Sequence, residues 1–263
     1  MSPIYFGYGG ANASNISSIK YGTVNIAKVY FGEELIHGTS DPSSSLLLYP
    51  FDSDANDASS TGNNLTLTGA TVQTTTKKYG AGSLQAGNLL GNQRAAGTMP
   101  ALGTGNFTVE FWLRIGSSAN GDYIVDRGKG NSFYFDNPGW VFFTNSGKFQ
   151  WTIKDSYDSE EEGYEASVNL ASTTTVSSSV GSFIHVALVR QGTTYRLYVD
   201  GAQEASATGS ATNFVAHNFA IGATIAGSNG MASNSFVDDF RLSSTAVYPD
   251  GTTFTPPASA HSN

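Results

Sequence analysis

Through most of the chain after residue 45, apolar and polar side chains alternate in short runs broken by Gly, Asn, Ser and Asp. A period of two belongs to β-strands, whose successive side chains point to opposite faces. In "FTVEFWLRI" (107–115), Phe107, Val109, Phe111, Leu113 and Ile115 share one face, and Glu110, Trp112 and Arg114 the other. In "FIHVALVR" (183–190), Ile184, Val186, Leu188 and Arg190 oppose Phe183, His185, Ala187 and Val189. Both faces of this second run are largely apolar, which predicts a central strand covered on two sides. Further runs are "LLLYPF" (46–51), "NLTLTG" (64–69), "DYIVDRG" (122–128), "SFYF" (132–135), "WVFFTN" (140–145), "KFQWTI" (148–153), "TYRLYVDG" (194–201) and "NFAIGA" (218–223). No amphipathic helix longer than about two turns emerges. Many short strands separated by turn residues predict an all-β fold, an antiparallel β-sandwich or barrel. "YVDGAQ" (198–203) carries the Asp-Gly pair of a tight hairpin.

The last apolar run, "FVDDFRL" (236–242), poses a problem. Read with period two, Phe236, Asp238, Phe240 and Leu242 share one face, and Val237, Asp239 and Arg241 the other. Asp238 is thus expected to point inward, where a carboxylate must be hydrogen-bonded, ion-paired or neutralised by a cation. Backbone or Ser/Thr donors, a base such as Arg190, or a bound cation would each serve. Asp239 and Arg241, on the outer face, are expected to form a solvated pair worth little.

Residues 1–39 read as a separate small unit. In "VNIAKVYFGEELIHG", Ile26, Lys28 and Tyr30 alternate with Ala27, Val29 and Phe31, and Gly32-Glu33 marks a turn, which predicts a hairpin. Two strands alone are marginal in water, so this hairpin must pack on the main domain, another copy or a partner. Residues 40–45, within "TSDPSSS", read as a linker, 46–257 as the main domain and 258–263 as a flexible tail.

Composition narrows the classes. Apolar residues make up 39% of the 263 and aromatics 12%, enough for a sizeable core. Only 13% are charged, against a usual share of about a quarter, so the surface is built mainly of Ser, Thr, Asn and Gly. Net charge is −8, which argues against a basic nucleic-acid face and against binding to anionic membranes, and leaves room for cations. There is no cysteine, hence no disulfide or thiolate metal site. "MSPIYFGYGG" has neither the basic nor the apolar region of a secretory signal, and no apolar run approaches the roughly 18 residues of a spanning helix.

Several segments, taken in order, resemble the laminin G-like, concanavalin A-like jelly-roll domains. They are "LLLYPFDSDANDASSTGNNLTLTG", "KKYGAGSLQ", "FTVEFWLRI", "FIHVALVRQGTTYRLYVDGAQ" and "FVDDFRLSSTAVYPDGTTFTPP". Phe183 stands where the family often has Trp, a core-filling exchange. The resemblance implies a jelly roll over 46–257. The closing segment and the hairpin ahead of the domain are similar to versions in tailed-phage virion proteins. That implies a non-enzymatic tail, fibre or capsid-decoration component, made in the host cytoplasm and exposed on the particle surface. Its jelly roll would display a glycan- or protein-binding face, and residues 1–39 would contact other virion proteins or other copies in a homo-oligomer. A lectin-like module of a cellular protein is the alternative, and a glycoside hydrolase or lyase on the same fold the third reading.

The candidate chemistry follows. In such a fold the first and last strands lie side by side, so Asp52, Asp54 and Asp57 would approach Asp238 or Asp239. Several oxygens together suit Ca²⁺, and Asp52, Asp54, Asp57 and Asp238 are the candidate ligands. "DSYDSEEEGYEAS" (155–167) is the densest acidic stretch, expected at a loop or hairpin tip without EF-hand spacing. Sugars stack on aromatic rings and take directional hydrogen bonds from amides. Tyr123, Trp140, Tyr157, Tyr164, Asn131 and Asn137, near expected turns, are the candidate ligand-binding residues, whereas Trp112 and Trp151 lie within strands. Catalysis finds little support. Glu110 stands alone without the Glu-x-Asp-x-x-Glu pattern of related glucanases, and His37, His185, His217 and His261 lie in separate segments.

Overall fold

The computed structural model describes residues 45–262 except 88–91, 118–119, 129–137 and 159–162, with backbone only at 155–158 and 163–167; of residues 1–44 it describes the backbone of four short strands. The chain divides into two compact units, Met1–Pro42 and Ser43–Asn263. The first contains two separate antiparallel pairs, β1 (Ile19–Tyr21) with β2 (Val24–Ile26) and β3 (Lys28–Phe31) with β4 (Glu34–Gly38). The β3–β4 pair is the hairpin expected around Gly32-Glu33.

The second unit is a sandwich of two antiparallel sheets. Its strands are β5 (Ser45–Tyr49), β6 (Thr66–Thr68), β7 (Thr71–Gln73), β8 (Ser83–Gln85), β9 (Arg94–Met99), β10 (Phe107–Arg114), β11 (Tyr123–Arg127) and β12 (Gly139–Asn145). They continue with β13 (Lys148–Asp158), β14 (Gly163–Thr175), β15 (Ile184–Gln191), β16 (Thr194–Val199), β17 (Ala202–Thr208), β18 (His217–Ile221) and β19 (Phe236–Ser243). The first sheet runs β17-β16-β15-β10-β19-β8-β7, with β5 also paired to β19; the second runs β14-β13-β12-β11-β18-β9-β6. The opening and closing strands do meet, with Leu47 opposite Leu242 and Leu48 opposite Arg241. The acidic stretch falls on the β13–β14 hairpin, whose tip (159–162) and "SFYF" lie outside the described residues.

Alternation decides what each strand buries. Phe107, Val109, Phe111, Leu113 and Ile115 face the core together with Ile184, Val186 and Leu188. Opposite them the second sheet contributes Trp140, Phe142, Phe149, Trp151 and Ile153. Each such side chain gains about 1.5–3 kcal/mol by leaving water. Asp200 and Gly201 both take positive φ, 47° and 79°, as a tight β16–β17 turn requires.

β19 departs from strict alternation. Glu110 pairs with Arg241 and Trp112 with Asp238, so Asp239 and Phe240 together oppose Phe111. Asp239 has φ 49°, and the two-against-one bulge swaps the faces of the strand. The inward residues are therefore Val237, Phe240 and Leu242. Asp238 lies on the outer face, contrary to the period-two expectation, yet it is buried there.

What buries it is the segment after β19. Residues 244–262 have no regular secondary structure and cross the outer face of the first sheet. Ala246, Tyr248 and Phe254 pack on Ala187, Val189 and Tyr198, which explains why β15 is apolar on both faces. Tyr248 and Phe254 stack with ring centroids 3.6 Å apart. Within 258–263 the His261 side chain is docked and 6% exposed, while residues 258–260 and 262 are exposed.

Candidate functional site

A group of ionisable side chains lies between the first sheet and this crossing segment. Glu110 projects from the outer face of β10 and is fully buried. Its Oε1 accepts from Arg241 Nε at 2.8 Å and Nη2 at 2.6 Å. Its Oε2 accepts from the Tyr248 hydroxyl at 2.9 Å and lies 3.2 Å from His185 Nε2. His261 completes the group, with Nδ1 2.7 Å from Asp239 Oδ2 and Nε2 3.6 Å from Glu110 Oε2. Asp239 also accepts from the His261 backbone N–H at 3.0 Å. Asp239 and Arg241, expected to be solvated, are both buried; the C-terminal segment brings His261 to Asp239, and the ladder brings Arg241 to Glu110.

The charges are tuned accordingly. Burial works to raise the Glu110 carboxyl, but His185, His261 and Arg241 outweigh it and hold the group well below the usual range. Burial works to lower His261, but Asp239 and Glu110 raise it to about 9. With His261 protonated, Glu110 balances Arg241 and Asp239 balances His261. A carboxylate so engaged has no free lone pair for a substrate, and the segment above it excludes one.

The expected cation ligands accept hydrogen bonds from the backbone. Asp238 accepts from the N–H groups of Lys78 at 2.7 Å and Tyr79 at 3.1 Å, and burial raises its carboxyl to about 6. Asp52 accepts from Ala81 N–H, at the other end of the same loop. Asp57 takes backbone N–H bonds from Leu48, Ser59 and Asn63, each 2.9 Å, and fixes the loop after β5. Asp54 accepts from Asn56 N–H at 2.9 Å. Among the described residues no group of three or more His, Cys, Asp or Glu gathers to hold a metal ion. Arg190, the basic partner considered for Asp238, bonds the carbonyls of Gly103, Gly105 and Thr212.

The six candidate ligand-binding residues fare differently. Trp140 is fully buried in the core, so its ring offers no surface. Asn131 and Asn137, and the side chains of Tyr157 and Tyr164, lie outside the described residues. Tyr123 is half-buried and stacks on Phe143, with centroids 5.7 Å apart and planes 19° apart. Phe143 faces away from the core, since its neighbour Phe142 points in. One row across the outer face of the second sheet therefore reads Tyr123, Phe143, Gln150, Ala171. Asn145 reaches Gln150 at 3.4 Å, and Thr152 and Asn169 meet at 3.0 Å in the next row. Phe143 was missed in the sequence because an apolar residue in a strand signals core unless its neighbours' direction is known.

Comparisons with known proteins agree with this architecture. No curated protein sequence matches the chain. The fold is shared with the binding domain of botulinum neurotoxin serotype C1 (TM-score 0.58, 16% identity, 79% of this chain and 50% of that one). It is shared too with the binding domain of Paraclostridial Mosquitocidal Protein 1 (TM-score 0.56, 15% identity, 78% and 49%). A third is the binding domain of botulinum neurotoxin DC in complex with SialylT (TM-score 0.56, 14% identity, 78% and 48%). The chain spans about half the length of these solved chains, and at such identity the likeness is one of fold. Residues 89–250 match the Laminin_G_3 family model, which covers most of the sandwich from β9 through β19, and the chain belongs to that family within the concanavalin A-like lectin/glucanases superfamily.

Proposed function

We propose that this chain is a non-catalytic binding module displayed on a tailed-phage particle, as a tail, fibre or capsid-decoration protein. It is made in the host cytoplasm and exposed on the virion surface. It takes a cell-surface glycan or protein on the outer face of the second sheet, around Tyr123 and Phe143. The first 39 residues attach it to other virion proteins or to further copies of itself. One observation carries the binding reading: a stacked aromatic pair lies half-buried on a sheet face and is continued by Gln150, Asn145, Thr152 and Asn169. Rings supply an apolar platform for sugar C–H faces, and amides supply directional hydrogen bonds. Against an enzyme stands Glu110, whose carboxylate is committed to Arg241 and Tyr248 beneath the C-terminal segment. The virion reading draws on the sequence resemblance of the closing segment. The attachment reading draws on the two separate two-stranded sheets of the first unit, each marginal alone.

The cellular lectin-like module remains the second reading, favoured by solved neighbours that are themselves named as binding domains. Imaging of intact particles with an antibody to this chain decides between them. Regular labelling of the particle surface supports the virion reading, and its absence overturns it. A glycan array tests the site: saturable hits that vanish in Tyr123→Ala support the platform, and hits unchanged by that substitution overturn it.

A further inference from the structure

The buried ionic group and the segment above it form a mechanical unit that the binding reading does not use. Residues 244–262 are mostly half-buried or exposed, without ladder hydrogen bonds of their own, whereas the groups they cover are buried. A few discrete contacts hold them. Thr108 Oγ1 donates to Thr245 O and accepts from Val247 N–H. Tyr198 donates to Tyr248 O, Phe254 N–H to Gly201 O at 3.0 Å, and Tyr79 to Pro257 O. Beyond Pro257 the described contacts converge on His261. Segments with few apolar contacts and exposed backbone are the ones that open below the global unfolding free energy.

We propose that residues 244–262 are a releasable strap and that His261, seated between Asp239 and Glu110, is the catch holding its far end on the first sheet. Among the described residues, ionisable groups face this catch from several elements, Asp200 through the His185 backbone N–H at 2.8 Å. Glu110 comes from β10, His185 from β15 and Tyr198 from β16, while β19 contributes Asp238, Asp239 and Arg241. Lys78 and Tyr79 approach from the loop after β7, Lys78 with its ammonium 3.8 Å from the Trp112 ring centre. Tyr248 comes from the strap itself. His261 Nδ1 lies 2.7 Å from Asp239, which is 1% exposed, and Arg241 Nη2 lies 2.6 Å from Glu110. Removing the His261 proton strands a buried carboxylate beside a second one, Asp238, and favours the open strap. Opening uncovers His185, Ala187, Val189 and Tyr198.

The sign of the dependence follows. A histidine raised from 6.5 to about 9 in the closed form contributes closing free energy that is complete below 6.5 and lost as pH rises through about 9. Hydrogen exchange on the full chain tests this, read as protection factors for the Phe254 and His261 amides against those of β10, from pH 7 to pH 10. In the wild type, strap protection falls by about tenfold or more over this range while β10 stays protected. In His261→Gln the strap is already less protected at pH 7, by about the same factor, and loses little more above it. A second readout, the titration of the His261 ring by NMR, should follow the loss of protection. The proposal is overturned if the strap amides exchange only together with β10, or if His261→Gln keeps wild-type protection at pH 7 and its decline at pH 9–10.

Discussion

Glu110 and Arg241 stand opposite each other in the β10–β19 ladder and close a buried charge pair with an N–O distance of 2.6 Å. Removing one partner of such a pair costs far more than the pair contributes, because the other charge stays buried. Glu110→Gln leaves Arg241 and protonated His261 without their shared carboxylate. The expected loss is about 3–5 kcal/mol in urea denaturation at pH 7. An unchanged midpoint would mean that the face opens to water.

Asp52 and Asp238 grip the two ends of one loop, through Ala81 and through Lys78 with Tyr79. Asp238→Ala leaves two amides unpaired and is expected to cost about 1–3 kcal/mol. Asp238→Asn keeps an acceptor and removes a charge that burial disfavours, so at pH 7 it is expected to hold stability at or above the wild type. The same thermal melts examine calcium. Because Asp57 and Asp238 are already occupied by backbone donors, millimolar Ca²⁺ is expected to leave Tm unchanged; a saturable rise would assign these aspartates to a cation.

Asp122 is fully buried at the entry to β11, and burial raises its carboxyl from 3.8 to about 6. A raised acid favours the folded state most when protonated, so its contribution falls as pH climbs from 3.8 through about 6. Asp122→Asn removes that cost. It is expected to stabilise the protein at pH 7, with little effect at pH 3, and to flatten the stability profile between.

Glu204 on β17 joins the edges of the two sheets. Its carboxylate accepts from Thr173 and Thr174 N–H at 2.6 and 2.8 Å, and from both threonine hydroxyls. Burial would raise this group, but those donors lower it below its usual 4.5. Its stabilisation is present above 4.5 and fades as pH falls through the lowered value. Glu204→Ala is expected to cost about 1–2 kcal/mol at pH 7 and to speed exchange at the end of β14, with a smaller cost in acid.

On the outer face of the second sheet, Phe143→Ala and Tyr123→Ala each remove half of a partly exposed stacked pair. Their stability cost is expected to stay near 1 kcal/mol, set by the lost ring contact. Binding to any glycan found on an array should nonetheless be abolished. Equal loss of folding and binding would make the pair structural.

Much of the sandwich is legible in the chain itself. Phe107 through Ile115 sort correctly because a strand's alternation is a local property of the backbone. The Asp200-Gly201 turn is legible for the same reason, since both residues tolerate positive φ. β17 is not, being built of Ala, Ser, Thr, Gln and Glu with no large apolar residue to betray it. Tyr123 is legible as a candidate binder, but Phe143 reads as core, and Gln150 and Ala171 carry no signal in the chain.

The sequence by itself determined the sheet period, the family and which face of β10 and β15 fills the core, because each depends on residues close together along the chain. Only the tertiary structure decided the side on which Asp238 falls, since a one-residue bulge at Asp239 breaks the alternation between it and Phe240. It alone decided that Glu110 and Arg241, 131 residues apart, share a buried site, and that the last residues close over it. Charges find their partners in space, after strand pairing has brought distant segments together, and a carboxylate in a sequence carries no mark of the base it will meet.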